Sequence, residues 1–149
     1  MKSFNSFCAQ SKIRIDAALV LIAESDRKVE YCSAGEGKAL YLKNGESEIK
    51  SLSLDVPALG TLSKSEFAKK SSYAEIAFSA GDLFLLMPFN AASVFIGDES
   101  FEDLVKRVAL SHRNEGARDL AEEVHSVFDP FRRREKGLPE TGFAVLKFV

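Results

Sequence analysis

The chain has 149 residues, of which 46% are apolar, and this length and composition suit a single globular domain built around one core. Its 20 basic and 22 acidic side chains give a formal net charge of −2. Charges so nearly balanced argue against a nucleic acid or an anionic membrane surface as the partner.

The two cysteines, Cys8 and Cys32, lie far apart in the sequence and form no Cys-x-x-Cys pair. A reduced compartment is therefore a simpler interpretation than a disulfide. No apolar run approaches the ~18 residues that a membrane span requires, and the first residues lack the apolar segment of a signal peptide. We expect a cytoplasmic protein.

The first half of the chain predicts strands. Within residues 15–23, the chain after Asp16 is an unbroken apolar run that ends in a polar turn, and the short length and β-branched centre of this run favour a buried central strand. Residues 28–33 alternate between apolar and polar side chains and are expected to pair with it. Farther along, Asn44 and Gly45 tolerate positive φ at both central positions of a turn, which favours a type I′ hairpin.

The middle of the chain is less uniform. Residues 64–72 are polar, and their pattern favours neither a helix nor a strand. Residues 74–78 alternate again and predict a half-buried strand, after which a Gly81-Asp82 turn leads into a buried strand at 83–87.

From Ser100 the apolar period becomes that of a helix. Ser100 is an N-cap residue type, and Asp103 is favourable in the first turn. A second helical pattern begins at Ala117 and is expected to stop at Asp129-Pro130. We expect both helices on one face of the sheet. The residues predicted to be buried between sheet and helices are Leu19, Leu21, Leu85, Leu104, Val108, Leu120 and Val124.

One segment resembles a known metal enzyme. Gly81-Asp82 opens an apolar strand, and Pro88, Phe89 and Asn90 follow it. This order is similar to the bacterial PPM-type (PP2C-like) serine/threonine phosphatases of the SpoIIE branch, in which Gly-Asp, an apolar strand and Thr-Asp-Gly occupy the same place. The Asp of Thr-Asp-Gly helps to hold the family's metal centre, and the resemblance puts Phe89 there. A phenyl ring offers no oxygen to Mn²⁺ or Mg²⁺, which are hard cations.

The resemblance covers residues 15–149. Residues 29–35 are similar to a family strand that ends in Ala-Gly-His, with Glu36 at the His position, and residues 57–60 resemble a Pro-Leu-Gly loop. The family's final strand follows Asp-Asp-x-Thr or Asp-Asn-x-Thr, whereas this chain puts Pro139 at the first, metal-binding Asp. The family's opening segment, with an Asp-Gly-x-Gly turn, has no counterpart before Ile15. We therefore expect residues 1–149 to be one PPM-like domain without that metal-binding segment.

The resemblance implies an α+β fold, an antiparallel β-sandwich-like remnant with the two helices of the C-terminal half packed on one face. With Phe89 and Pro139 at two ligand positions, it implies no cofactor and no catalytic residue. The leading hypothesis is a catalytically inactive regulatory or interaction module in bacterial signalling. Its rival is an active phosphoserine/phosphothreonine protein phosphatase that holds Mn²⁺ or Mg²⁺ through non-standard or partner-supplied ligands, and an unrelated α+β domain is a third reading.

Several conspicuous residues have an ordinary reading beside a functional one. Asp82 suits a turn former better than a metal ligand, because its side chain accepts backbone N–H bonds. Neither His112 nor His125 belongs to a metal-site spacing. Residues 35–38 superficially suggest a phosphate loop but lack its spacer, so that a tight turn is the simpler reading.

Two groups of residues are candidates for binding a protein partner. The first lies around the former metal cleft and contains Phe89, Asn90 and Phe95. The second is the basic cluster 132–134, whose guanidinium groups suit a phosphorylated or acidic partner but are also typical of a solvated loop. These candidate partner-binding residues are Phe89, Asn90, Phe95, Arg132, Arg133 and Arg134.

Self-association is also expected. The family covers its sheets with helices on both outer sides, but only two clear helical patterns occur here, and the first fourteen residues supply at most a short third one. A sheet face with no covering layer exposes more apolar surface than soluble monomers usually show. The simplest cover is a second copy of the chain, which predicts a homodimer.

Overall fold

The computed structural model describes residues 1–87, 94–134 and 143–149, and for residues 128 and 130–134 it describes the backbone alone. The chain divides into two compact units. Unit 1 consists of residues 1–38 and 52–78, and unit 2 of residues 39–51 and 79–149.

Thirteen helices and strands lie in the described residues. In chain order they are α1 (Lys2–Gln10), β1 (Ala17–Ala23), β2 (Lys28–Ala34), β3 (Lys38–Leu42), β4 (Lys50–Ser53), α2 (Lys64–Lys70), β5 (Ala74–Ala77), β6 (Leu83–Leu86), β7 (Phe95–Ile96), β8 (Glu99–Ser100), α3 (Phe101–Ser111), α4 (Ala117–Arg134) and β9 (Ala144–Lys147).

Unit 1 contains a three-stranded antiparallel sheet in the order β1-β2-β5. Helices α1 and α2 contact each other, and the side chain of Asn5 ties α1 to the loop that precedes α2. Its amide donates to the carbonyl of Leu62 at 3.1 Å and accepts from the N–H of Gly60 at 2.8 Å. A small apolar core lies here, formed by Cys8, Ala34, Val56, Leu59 and Phe67.

Unit 2 is organised around a sheet in the order β4-β3-β6-β9, in which β6 pairs antiparallel with both β3 and β9. Helices α3 and α4 contact each other and bury their apolar faces against this sheet, as the sequence predicts. The side chains of this core include Leu40, Leu42, Leu83, Leu85, Phe101, Leu104, Val105, Val108, Leu120 and Val124. The predicted burial of Leu85, Leu104, Val108, Leu120 and Val124 is confirmed.

The start of α3 also follows the prediction. The Ser100 hydroxyl accepts a hydrogen bond from the Asp103 backbone N–H at 3.1 Å, which satisfies one of the free donors of the first turn. The apolar period then places Leu104, Val105 and Val108 on the buried face.

The prediction for β1 is wrong in two respects. Residues 17–23 do form a strand paired with β2, but β1 lies at the edge of its sheet and is not central. Leu19 is 43% exposed and Leu21 53%, so their predicted burial is wrong as well. An unbroken apolar run shows that a strand forms, but it does not tell an edge strand from a central one.

The segment 64–72, for which the sequence pattern favoured no element, contains α2. Its N-terminus is a capping box, in which the Ser63 hydroxyl accepts from the Glu66 N–H while the Glu66 carboxylate accepts from the Ser63 N–H. The box fixes the first turn of a helix with one fully buried apolar side chain, Phe67. Local capping, and not a long apolar face, therefore sets this helix.

The end of the second long helix and the type of one turn also differ from the sequence predictions. Helix α4 continues through Pro130 to Arg134, where a proline removes one backbone hydrogen bond without ending the helix. At the predicted type I′ turn, positive φ is confined to Gly45, at 84°, and the Glu46 N–H donates to the Lys43 carbonyl at 3.0 Å. A single positive φ at the third position is typical of type II, so the type I′ prediction is wrong.

We expect Leu85→Ala or Leu104→Ala to lower the free energy of unfolding by ~2–5 kcal/mol, because each leaves a cavity in the core of unit 2. Leu21→Ala removes the same atoms from an exposed position. In dilute solution it should change stability by no more than about 0.5 kcal/mol. Urea denaturation of the three variants checks this, and a large loss in Leu21→Ala would contradict the edge position of β1.

Candidate functional site

Asp82, the acidic residue that matches the Gly-Asp of the phosphatase motif, is fully buried in unit 2, directly before β6. Its Oδ2 accepts hydrogen bonds from the Tyr41 hydroxyl at 2.5 Å and from the Ser79 N–H at 2.9 Å. Its Oδ1 accepts from the Asn44 N–H at 2.7 Å. We call Tyr41, Asn44, Ser79 and Asp82 the Asp82 cluster.

The backbone conformation of the turn before Asp82 requires a glycine at position 81. Gly81 has φ of 89°, and a Cβ built there would lie 2.5 Å from the amide nitrogen of Asn44. That amide in turn donates to the Ala80 carbonyl at 3.1 Å. The Gly81 N–H donates to the Phe148 carbonyl at 2.8 Å, and the Phe148 N–H donates to the Asp82 carbonyl at 3.0 Å. A side chain at this position would therefore disturb both the turn and the end of β9.

The phenol of Tyr41 acts as a neutral donor to the carboxylate. The pKa of Tyr41 is raised well above its ordinary value. Burial is the larger cause, and the hydrogen bond to Asp82 is the next. Both effects favour the protonated phenol, because an ionised one would lie beside a carboxylate in a dry environment.

The Asp82 cluster does not fit a metal ion. A hard divalent cation takes six or more oxygen ligands, and both oxygens of Asp82 are directed at N–H and O–H donors instead. Across residues 1–87, 94–134 and 143–149, no group of three or more His, Cys, Asp or Glu side chains is arranged to hold a metal. The interpretation of Asp82 as a turn former that accepts backbone N–H bonds is confirmed.

The candidate partner-binding residues are placed only in part. Phe95 lies in β7 with 55% of its surface exposed. Phe89, Asn90 and Pro139 fall outside the described residues, and so do the side chains of Arg132, Arg133 and Arg134, whose backbone belongs to α4. The proposed relation of these residues to a partner therefore stays a prediction.

The remaining conspicuous residues have ordinary surroundings. His112 is half-buried and its Nδ1 lies 2.9 Å from a carboxylate oxygen of Glu115, and His125 is exposed on α4. The Gly35-Glu36 segment is a bend after β2, with Gly35 at φ of 90° and Glu36 exposed. The reading of residues 35–38 as a turn between strands fits this geometry.

Unit 1 contains a groove that the sequence did not indicate. It has a volume of about 630 Å³ and runs from the start of α1 to the end of α2, with Leu19 of β1 and Cys32 of β2 on its floor. Phe67 and Tyr73 also line it. Sequence reasoning missed it because Leu19 was expected in a core. The thiol of Cys32 is half-buried in the groove wall, and burial raises its pKa.

No protein-family model matches the chain, and no curated protein matches it significantly. Solved structures do. The SiaA-PP2C domain of Pseudomonas aeruginosa has a TM-score of 0.72 at 15% identity, over 92% of this chain and 53% of that domain. The phosphatase domain of the cell fate determinant SpoIIE from Bacillus subtilis has a TM-score of 0.65 at 13% identity, over 91% and 58%. The catalytic domain of the serine/threonine phosphatase PstP, in complex with two manganese ions, has a TM-score of 0.64 at 16% identity, over 97% and 66%.

The chain therefore has a PPM-type phosphatase fold, and the predicted α+β class is confirmed. It spans slightly more than half the length of the SiaA and SpoIIE domains. None of the described helices is long and apolar enough to cross a membrane.

We expect Tyr41→Phe to lower the free energy of unfolding by ~1.5–3 kcal/mol near neutral pH, because the change leaves the Oδ2 of Asp82 with the Ser79 N–H alone. Tyr73→Phe is the matched control, since Tyr73 is 65% exposed. Urea denaturation should show little change in the control.

The difference between wild type and Tyr41→Phe should shrink as pH rises above about 10, where tyrosines of the unfolded chain ionise. The folded protein keeps the Tyr41 proton there, because its pKa is raised, so the unfolded state binds fewer protons and stability falls with pH. Tyr41→Phe loses this contribution. If the free energies of unfolding of wild type and Tyr41→Phe kept a constant difference above that pH, the role of the Tyr41 phenol as a protonated donor to Asp82 would be contradicted.

Proposed function

We propose that the chain is a catalytically inactive, phosphatase-like regulatory or interaction module of bacterial signalling. The observation that carries the proposal is the state of Asp82, whose carboxylate oxygens accept three hydrogen bonds from the chain itself. An acidic residue retained from the phosphatase motif thus has a structural role.

The sequence supports the same conclusion at two other positions. Phe89 and Pro139 stand where the resemblance expects carboxylates. In metal-dependent phosphoryl transfer, the ions generate the nucleophilic water and neutralise the charge on the phosphoryl oxygens. A chain without the ligands for those ions loses both contributions at once, so the residues that remain support binding and not hydrolysis.

The second candidate is an active Mn²⁺- or Mg²⁺-dependent protein phosphatase whose ligands are non-standard or come from another polypeptide. Its support is the fold shared with the PstP catalytic domain, which was solved with two manganese ions. This rival needs carboxylates other than Asp82, since freeing that side chain would break the turn that it holds.

We expect the purified chain, incubated with Mn²⁺ or Mg²⁺, to hydrolyse neither p-nitrophenyl phosphate nor a phosphoserine peptide above the metal-only background. Its metal content after dialysis should be far below one ion per chain. Asp82→Asn should reduce stability without changing either readout.

The rival candidate makes the opposite set of predictions. Under it, stoichiometric Mn²⁺ remains bound, hydrolysis depends on the metal, and replacing an acidic residue such as Asp16 by Asn abolishes the activity while melting stays unchanged. That combination would overturn our proposal.

The assignment of Phe89 and Pro139 to ligand positions has its own test. We expect the double replacement Phe89→Asp and Pro139→Asp to raise Mn²⁺ affinity above that of wild type, measured by titration calorimetry. Phe95→Asp, which adds a carboxylate at an exposed position of β7, is the control. Equal affinity in both variants would show that the two positions do not correspond to metal ligands.

A further inference from the structure

Strand β1 leaves one of its edges open. It pairs with β2 over all seven of its residues, from Ala17 opposite Ala34 to Ala23 opposite Lys28. Within the described part of the chain, no strand pairs with its other side. On that side, every second residue of β1 directs its backbone N–H and C=O groups away from β2, as is typical of an edge strand.

The sequence of this edge contains none of the features that usually protect one. Residues 17–23 read Ala-Ala-Leu-Val-Leu-Ile-Ala, without proline, glycine or charge. Natural edge strands are blocked by such residues, or by bulges or a covering element. Leu19 and Leu21 point to one face of the strand and Ile22 to the other, and all three are between 43% and 53% exposed. Both faces of β1 are therefore apolar and accessible.

Exposed apolar surface is concentrated in the same unit. Seven of the nine large apolar side chains that the structure describes as exposed belong to unit 1. The groove of unit 1 is continuous with β1, because Leu19 forms part of its floor. The seven side chains are Phe4, Phe7, Ile13, Leu19, Leu21, Ile22 and Tyr73.

We propose that β1 pairs antiparallel with β1 of a second copy of this chain, so that two three-stranded sheets join into one sheet of six strands. A two-fold axis perpendicular to the sheet brings identical strands together in antiparallel orientation. The contact uses the same edge twice and closes on itself, which gives a discrete dimer. This inference does not depend on whether the chain hydrolyses phosphate esters.

The apolar run of β1 favours one register for this pairing. With the axis at Val20, all seven residues of β1 face apolar residues of the second copy, whereas a shift by two in either direction places Asp16 or Glu24 opposite an apolar residue. Beyond the strand ends, Arg14 then faces Asp26, an opposite-charge pair that supports this register, while Asp16 faces Glu24, a like-charge pair that weakens it. The opposed pairs are Val20 with Val20, Leu19 with Leu21, Ala18 with Ile22 and Ala17 with Ala23.

The oligomeric state is the first test. Sedimentation at micromolar concentration should give about twice the chain mass of 16.4 kDa. Leu21→Lys places a charge inside the pairing, and its exposed site tolerates the change in the single chain. It should weaken dimerisation by about tenfold or more. The control is Phe95→Lys, which adds the same charge at an exposed residue of unit 2 and should leave the dimer intact.

Disulfide trapping tests the register. Residues directly opposite in an antiparallel pair have Cα atoms about 4.5–5.5 Å apart, within reach of a disulfide. Val20→Cys should therefore give a covalent dimer on mild oxidation. Ile22→Cys should not, because the two copies of residue 22 lie four residues apart along the strands, roughly 13 Å. Wild type under the same oxidation measures the background from Cys8 and Cys32.

Three results would overturn the proposal. If wild type has the mass of one chain at every concentration, β1 does not pair with a second copy, and a strand from a different polypeptide becomes the candidate partner of this edge. A dimer that survives Leu21→Lys but dissociates in Phe95→Lys places the interface at β7. A series of larger species, or equal trapping of Val20→Cys and Ile22→Cys, replaces the two-fold pairing by an open assembly.

Discussion

The buried carboxylate of Asp82 is the interaction on which the architecture of unit 2 depends. A desolvated negative charge is costly unless donors surround it, and here one phenol and two backbone N–H groups do so. These donors come from β3, from the turn after β3 and from the turn before β6. One side chain therefore holds two turns against a strand, at the start of β6, which pairs with both β3 and β9.

The periodic parts of the fold could be predicted from sequence, because burial of a whole face leaves a repeating signal. Helix α3 is of this kind, with Leu104, Val105 and Val108 on its buried face, and in strand β2 the alternation buries Val29 and Tyr31. Helix α2 has too few buried residues to give a period, but the Ser63 and Glu66 capping box is readable three residues apart and could have identified it. The edge position of β1 depends on which strands pair with it, and its partner β2 is itself paired with β5 more than forty residues away, which no local pattern records.

The candidate site also combines a feature that local sequence predicts with one that depends on a residue distant in sequence. That Asp82 forms a turn follows from its residue type beside Gly81. That Tyr41 donates to it does not, since the two residues are 41 positions apart and each is unremarkable in its own segment. The resemblance to phosphatases predicted the fold from the order of weak motifs, and the structure adds the role of Asp82 in this chain: its carboxylate holds two turns by accepting their backbone N–H groups.

The chain passes between its two units three times, after residues 38, 51 and 78. Each unit is thus assembled from two separate stretches of sequence, and no single cut separates them. A fragment that ends before residue 74 deprives β2 of its neighbour β5, and one that begins at residue 79 lacks β3, the partner of β6. Genetic dissection by truncation would damage both units together, so point substitutions at exposed positions are the appropriate means of assigning roles to either one.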